Sequence, residues 1–461
     1  MSTTAKKKNL DMLHGSLWDK LPRFAFPIAA TAILGQLFNA SDLAIVGNFA
    51  GEQRTAAVAA VGANGPVIGL IVNLFIGIAL GANVVIAHAI GHGDRQAVKK
   101  AVHTSILVAL LGGFAVAVLG DLIAAPFLSL LRVPDDVFPL ALLYLRIYLV
   151  GMPVILLYNF EAAIFRSVGE TKIPLIALAV SGVLNVVLNL FFVAVLGMTV
   201  SGVAIATVVA NAVSCVILFC KLRRVELDIR VEPKELKIDV ESLKRILRIG
   251  LPAGIQSAVF SISNIVIQSA INSLGTDVMA ASGAAFNIEI ITYDILNSFS
   301  QACTTFVGQN FGAGKIKRCK RTLLLCLAEG MITLVLAITL ILLCGKNLLS
   351  LFNDDPTVIE LGYTRLIHIV PAHLFSLFYD VMSGYMRGFG ISLVPAVLTT
   401  AGVCGIRIFW IQIVFPMYQS FRAIMAVYPI SLCATALMIF VALLCYHPSR
   451  RHARLQSAEN G

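Results

Sequence analysis

At 461 residues the chain is long enough for several soluble domains, but 58% of it is hydrophobic and only 13% charged, about half the charge that soluble domains carry. That excludes an ordinary soluble enzyme or binding module. The net charge of +10 is spread over short connections, so it reads as a topology signal with some attraction to anionic lipid and not as nucleic-acid binding.

A bilayer span needs about 20 mostly apolar residues. Such runs follow one another at roughly 22–46, 57–90, 97–130, 137–165, 173–196, 200–220, 247–272, 279–310, 322–350, 358–386, 393–416 and 422–446. The pattern predicts an all-α integral membrane protein of about twelve transmembrane helices. Gly65-Pro66, Pro153, Pro252 and Pro371 fall inside these runs and predict kinks, whose freed backbone groups must face protein or water. The first run is too long for a cleavable signal, so an uncleaved insertion signal is expected.

Lys6, Lys7, Lys8, Arg95, Lys99, Lys100, Arg166, Lys172, Arg223, Arg224, Lys315, Arg318, Arg450, Arg451 and Arg454 all fall on one set of connections. The other set holds only Arg54, Arg132, Lys346 and Arg422, mixed with aspartates. The bias predicts that both termini are cytoplasmic. The nine cysteines lie almost wholly in apolar runs without a C-x-x-C pair, which points to packing. His88 and His92 lack a companion carboxylate and border a basic connection, so a metal site is not expected there.

The chain repeats itself. GANGPV…GHGDRQAVKK from Gly62 aligns without a gap on GAAFNI…GAGKIKRCKR from Gly283, an offset of 221 positions (283−62). The same offset pairs Tyr158 with Tyr379, Arg166 with Arg387, Gly169 with Gly390 and Pro174 with Pro395. With about six spans in each half, the second half starts on the same side as the first, a parallel repeat of two pseudo-symmetric six-helix lobes. The expected division is an N-lobe over 1–220, a cytoplasmic linker over 221–246 and a C-lobe over 247–461. Two similar lobes around a cleft suit a secondary transporter. No G-x-x-x-x-G-K-[ST], H-E-x-x-H or nucleophile-elbow pattern is present, so neither ATP hydrolysis nor another enzymatic activity is expected. An ion gradient is the expected energy source, at about 2.3 kcal/mol per charge per 100 mV.

Ionisable groups inside spans are costly and therefore candidates for function. Asp42, in QLFNASDLAIVGNF, has no basic neighbour in its span. In the fifth span, SGVLNVVLNLFF puts Asn185 and Asn189 one turn apart on one face. Amide oxygens beside a carboxylate suit a hard cation such as Na⁺; the alternative is that these asparagines bond between helices.

The motifs NASDLAIVG, IAHAIGHGDR, FVGQNFGAGK, FRSVGETKIP, MRGFGISLVP and LNVVLNLFF…GMTVSGVAIATVVAN resemble those of multidrug and toxic compound extrusion (MATE) transporters, from about Pro22 to Leu443. The resemblance implies an antiporter that exports organic cations and other amphipathic drugs in exchange for Na⁺ or H⁺, with no cofactor beyond a possible coupling Na⁺ at Asp42. Asp42 falls on the family's first-helix aspartate, which looks like the coupling residue, and Asn185 matches an asparagine of the same cluster. Asn189 departs from the pattern, since many members have aspartate there. The seventh span lacks the glutamate that one branch uses, so that branch's C-lobe Na⁺ site is not expected here.

The C-terminal half carries acids of its own. Asp294 pairs across the repeat with Asn73, and Asp380 with Asn159. Both are candidates for the substrate pathway, with Tyr158, Tyr293, Tyr379 and Met382 as adaptable apolar partners for a cationic drug. The alternative for the acids is pairing with Arg146, Arg365 or Arg407; Glu329 is expected to be structural. A monomer in a bacterial plasma membrane is expected, in contact with lipid, small molecules and the coupling ion. The rival readings are a lipid-linked saccharide flippase, disfavoured by the intramembrane acids, and an exporter of one endogenous metabolite.

Overall fold

The computed structural model describes residues 10–131, 133–225 and 228–448. Lys6, Lys7, Lys8, Arg132, Arg450, Arg451 and Arg454 of the orientation pattern lie outside the described residues. Twelve helical stretches follow in chain order: α1 (Lys20–Phe49), α2 (Arg54–His92), α3 (Arg95–Leu130), α4 (Phe138–Val150 and Met152–Ser167), α5 (Lys172–Val195), α6 (Val200–Arg224), α7 (Val240–Asn272), α8 (Thr276–Gly312), α9 (Ile316–Ser350), α10 (Pro356–Gly388), α11 (Leu393–Tyr418) and α12 (Phe421–Tyr446). Ten of them are long and apolar enough to span a bilayer singly, and the two segments of α4 qualify together. The remaining helix, α8, has 37 residues, but Asn287, Glu289, Asp294, Asn297 and Gln301 interrupt its apolar surface. Of these, Glu289 and Asp294 are buried within the protein, as ionisable groups in a span must be.

The repeat is visible in the helix boundaries. Subtracting 221 from the starts of α7 to α12 gives 19, 55, 95, 135, 172 and 200, against 20, 54, 95, 138, 172 and 200 for α1 to α6. Gly93 and Gly314, one offset apart, close α2 and α8 with φ of +74° and +68°, a left-handed turn that glycine enters without a Cβ penalty. The expected kinks divide. At Gly151–Pro153 the chain bends by 51°, where Pro153 withholds its N–H. Pro66, Pro252 and Pro371 instead sit inside uninterrupted helices. A π-helical turn occupies Leu190–Val195 in α5, and α11 carries two, Thr400–Gly405 and Trp410–Val414, the second starting within one residue of the α5 turn shifted by 221.

The chain forms two compact units, Ala30–Gly254 and Leu10–Ala29 with the chain from Ile255 onward. In the first, Phe160, Phe165, Ile86 and Ile106 are fully buried at the centre of one apolar cluster. Gly77 and Gly81 of α2 face Gly250 and Gly254 of α7, where an added Cβ would run into the opposing backbone. Paired small residues four apart let two helices approach closely in a bilayer. Gly81→Leu is therefore expected to destabilise the protein by about 3 kcal/mol. Gly62→Ala, where a Cβ meets nothing within 4 Å, should be neutral or stabilising by about 0.5–1 kcal/mol. Thermal unfolding in detergent compares the two.

After α6 the chain returns along the start of α3. Ile229 and Val231 are buried, Glu232 N donates to His103 Nε2 at 3.1 Å and Asp239 N to Thr104 Oγ1 at 2.9 Å. Arg95 pairs with Asp228 at 3.5 Å, Lys100 with Asp239 at 3.5 Å, and Lys99 with Glu232 and Glu235. The Lys99 bond holds the Glu235 carboxyl below its ordinary range, and bonds from Ser242 do the same for Asp239. Groups with lowered values stabilise above the ordinary carboxylate range and lose that contribution as pH falls through the lowered values. Hydrogen-exchange protection at Ile229 and Val231, corrected for intrinsic rate, is thus expected to hold from neutrality down to about pH 5 and to drop below about pH 4. It should also drop at high salt, which screens exposed pairs.

In the second unit, the segment before α1 is held by its backbone. Asn310 Nδ2 and Arg318 Nε donate to Met12 O at 3.2 and 3.0 Å, Lys315 Nζ to Leu13 O at 3.0 Å, and Arg318 NH1 to Gly15 O at 2.8 Å. Met12 and Leu17 are buried beneath these bonds. The polar residues at the end of FVGQNFGAGK and just beyond it thus clamp the entry to α1.

Candidate functional site

Asp42 lies on α1 and is 7% exposed. Asn189 Nδ2 of α5 donates to its Oδ1 at 2.5 Å and Thr207 Oγ1 of α6 to its Oδ2 at 3.2 Å. Asn189 Nδ2 also reaches Asn185 Oδ1 at 3.2 Å, and Asn185 Nδ2 reaches Thr207 Oγ1 at 3.4 Å. The one-turn spacing of Asn185 and Asn189 makes both reach the same carboxylate region, and the π turn begins at the next residue, Leu190. Such turns are frequent at functional sites, because they re-aim side chains at a break in the helical ladder. The phenols of Tyr144 and Tyr148 on α4 lie within electrostatic range of Asp42, and their rings are 6.0 Å apart.

No base pairs with Asp42 among the described residues. A carboxylate held among helices in hydrocarbon must then be neutralised by a proton or a bound cation. The donor set suits either. Asn189 Oδ1 is buried without a hydrogen-bond partner, leaving it free, with Asn185 Oδ1 and the Asp42 oxygens, as a ligand for Na⁺. Thr207 was not singled out in the sequence; its one-turn spacing from Asn211 on α6 is the signal that marks it.

Asp294 and Asp380 are in the second unit. Asp294 is 7% exposed, and one oxygen of each carboxylate is buried without a partner. Ser300 Oγ of α8 donates to the backbone oxygen of Asp380 at 2.7 Å, joining α8 to α10. Tyr293 is 40% exposed, its ring 6.4 Å from that of His373, and it is within electrostatic range of Asp294, Asp380, Arg387 and Arg407. Tyr379 and Met382 are buried against Leu432 and Ile439. Tyr158 is in the first unit, buried in the cluster around Phe160 with its Oη unpartnered, and it does not join the Asp42 group.

The arginines sort differently. Arg365 meets Glu289 through two bonds, Nε to Oε2 at 2.9 Å and NH2 to Oε1 at 2.5 Å, and its NH1 reaches Ser282 Oγ at 2.5 Å. Arg407 sits 4.4 Å over the Tyr428 ring and donates to Ser431 Oγ at 3.2 Å. Arg146 pairs with Asp121 at 3.0 Å, both about half exposed. None of the three arginines forms an ion pair with Asp294 or Asp380 among the described residues. Glu329 has both oxygens unpartnered and buried.

A family model described as MatE matches residues 27–191 and 252–413, one segment in each half. The probable multidrug resistance protein YoeA of Bacillus subtilis is 27% identical over 85% of this chain and 86% of its own length. The probable multidrug resistance protein NorM of Thermotoga maritima is 27% identical over 87% and 86%. A multidrug resistance MATE family transporter of the MOP superfamily, solved in an outward-facing conformation, superposes with a TM-score of 0.87 over 98% of this chain and 99% of its own, at 21% identity. That likeness shows the twelve-helix, two-lobed fold. With the family's model matched in both halves of a repeated, multi-pass helical membrane protein, the chain belongs to the MATE family of transporters.

Proposed function

We propose that this chain is a cation-coupled antiporter that exports organic cations and other amphipathic drugs across a bacterial plasma membrane, with both termini cytoplasmic. The observation that carries the reading is the Asp42 carboxylate, buried without a base and held by Asn189 and Thr207. The names of the multidrug relatives support the cargo. Entry of Na⁺ or H⁺ from outside neutralises Asp42, and the neutral and charged forms favour different packings of α1, α5 and α6. Coupling requires drug and ion to prefer opposed states, since a ligand that binds both equally shifts neither. Asp294 and Asp380 supply charge recognition for a cationic drug, and the half-exposed Tyr293 supplies an aromatic face.

The test is export of a fluorescent organic cation by purified protein in liposomes, under separately imposed Na⁺ and proton gradients. Transport driven by one of them identifies the coupling ion. Transport by neither, across several cations, removes the reading and leaves a single-metabolite exporter or a lipid-linked saccharide flippase.

A further inference from the structure

The first unit holds a second carboxyl that the Asp42 site does not use. Glu161 of α4 is fully buried and meets no base among the described residues, its side-chain contact being the weakly donating Cys215 thiol. The titratable groups beside it are the Cys215 thiol of α6 and the Tyr158 phenol one turn back on α4; α2 and α3, which also pack on α4, bring no charge to it. A buried carboxylate without a base is too costly to keep in hydrocarbon, so this group holds a proton or exchanges one.

Between Asp42 and Glu161 the α5–α6 seam is polar at every turn. On α5, Asn189, Asn185 and Ser181 stand four residues apart and are all buried. On α6, Thr207, Asn211, Ser214 and Cys215 follow in the same direction. Ser214 Oγ donates to Ser181 Oγ across the seam at 2.6 Å, one turn below Asn185 on α5 and two turns beyond Thr207 on α6, with Asn211 at the turn between; Asn185 and Thr207 meet at 3.4 Å. Successive layers are about 5.4 Å apart, a gap that a single water bridges. Asp42 is seven residues from the end of α1 and Glu161 six from the end of α4, the two ends lying on opposite membrane faces because α1 and α4 run in opposite directions.

The duplication supplies an internal control. One offset on, Glu161 becomes Met382, Asn185 becomes Ile406, Asn189 becomes Trp410, Thr207 becomes Tyr428 and Ser181 becomes Gly402. The same fold is therefore built without the carboxyl and the amides, keeping hydroxyls at Tyr428 and Thr435, the counterparts of Thr207 and Ser214, and the acid and amides of one half ask for a function.

We infer that the α5–α6 seam is a proton path from Asp42 to Glu161, which serves as a second proton-exchanging carboxyl facing the cytoplasmic side. A proton leaving the Asp42 carboxyl passes through seam hydroxyls and bridging waters. Glu161 gives its proton to the cytoplasmic side as a carboxylate and regains one from the seam, so one proton enters for each that leaves. This inference rests on the antiporter reading with protons as the coupling ion.

The experiment compares parent, Glu161→Gln, Glu161→Asp and Ser214→Ala proteins in liposomes, following proton flux with a pH dye when an organic cation is added. Cation affinity of the same samples is measured by fluorescence polarisation. Infrared difference spectra between acidic and alkaline buffer report carboxyl exchange. The expected result is about a tenfold loss of cation-driven proton flux in Glu161→Gln, with cation affinity unchanged, a carboxyl band missing from its spectrum, and partial recovery in Glu161→Asp. Ser214→Ala, which breaks the Ser181 contact without touching either acid, should slow the flux while keeping both carboxyl bands. Unchanged flux in Glu161→Gln, or a spectrum superimposable on the parent's, overturns the path and leaves the antiporter reading standing. A parent protein that moves no protons on cation addition, while exporting on a Na⁺ gradient, overturns the path alone; one that exports on neither gradient removes both.

Discussion

Asp42→Asn is expected to abolish gradient-driven export while leaving the protein as stable as its parent. The amide has the shape of the carboxyl; its oxygen can still accept from Asn189, 2.5 Å from Asp42 Oδ1, and its NH2 can donate to the Thr207 hydroxyl, 3.2 Å from Oδ2. What it loses is the charge that a cation or proton neutralises. Coupling free energies are typically about 1–3 kcal/mol, a factor of ~5–150, and the variant should lose all of it. Facilitated equilibration of the drug down its own gradient should remain. A second readout separates the two ions. If Na⁺ binds here, the parent's unfolding temperature rises with Na⁺, by an amount equivalent to about 2.7 kcal/mol at 100 times Kd, and the variant's does not. If only protons bind, Na⁺ shifts neither, and export follows pH alone. Coupled export that survives intact in Asp42→Asn moves the coupling residue elsewhere, with Asp294 and Asp380 next in line.

The parts of the molecule that hydropathy and periodicity determine were legible from the residues. Twelve apolar runs became twelve helical stretches, and the offset of 221 positions reappeared in their starts, because burial in lipid and a duplicated chain leave direct marks on sequence. The Asp42 cluster was legible for a similar reason: Asn185 and Asn189 are one turn apart, so whatever helix face carries one carries the other. Thr207 was not, since a threonine in a membrane helix usually bonds back to its own backbone, as it also does here to Val203 O at 2.9 Å. Glu161 escaped because it precedes Arg166 near the end of a run, where an acid reads as a boundary residue; only the packing of α4 shows it to be fully buried. The prolines were only partly legible. Pro153 bends α4 beside Gly151, whereas Pro66, Pro252 and Pro371 do not end their helices, because a lost backbone bond need not break a helix that its neighbours hold in place.

Which acid meets which base depends on the rotation of two helices, and this the sequence leaves open. Glu289 and Arg365 settle as a two-bond pair, 7% and 5% exposed at their side chains, flanked by Phe286 and Tyr428 at 5.9 and 5.7 Å from the guanidinium. Removing either partner strands the other charge. Arg365→Gln and Glu289→Gln are each expected to cost about 3–5 kcal/mol, the largest stability losses in the molecule, seen as a fall of roughly 10 °C in unfolding temperature. Replacing both, Glu289→Met with Arg365→Leu, should recover most of that loss, because the pair's attraction only repays its own desolvation. The double variant then asks what the pair is for. Retained export with restored stability makes it a strut between α8 and α10 that fixes where Asp294 and Tyr293 point. Restored stability with lost export would instead put the pair itself on the transport route, and a double variant no more stable than the singles would show that the surrounding polar groups, beginning with Ser282 at 2.5 Å from Arg365, depend on the charge.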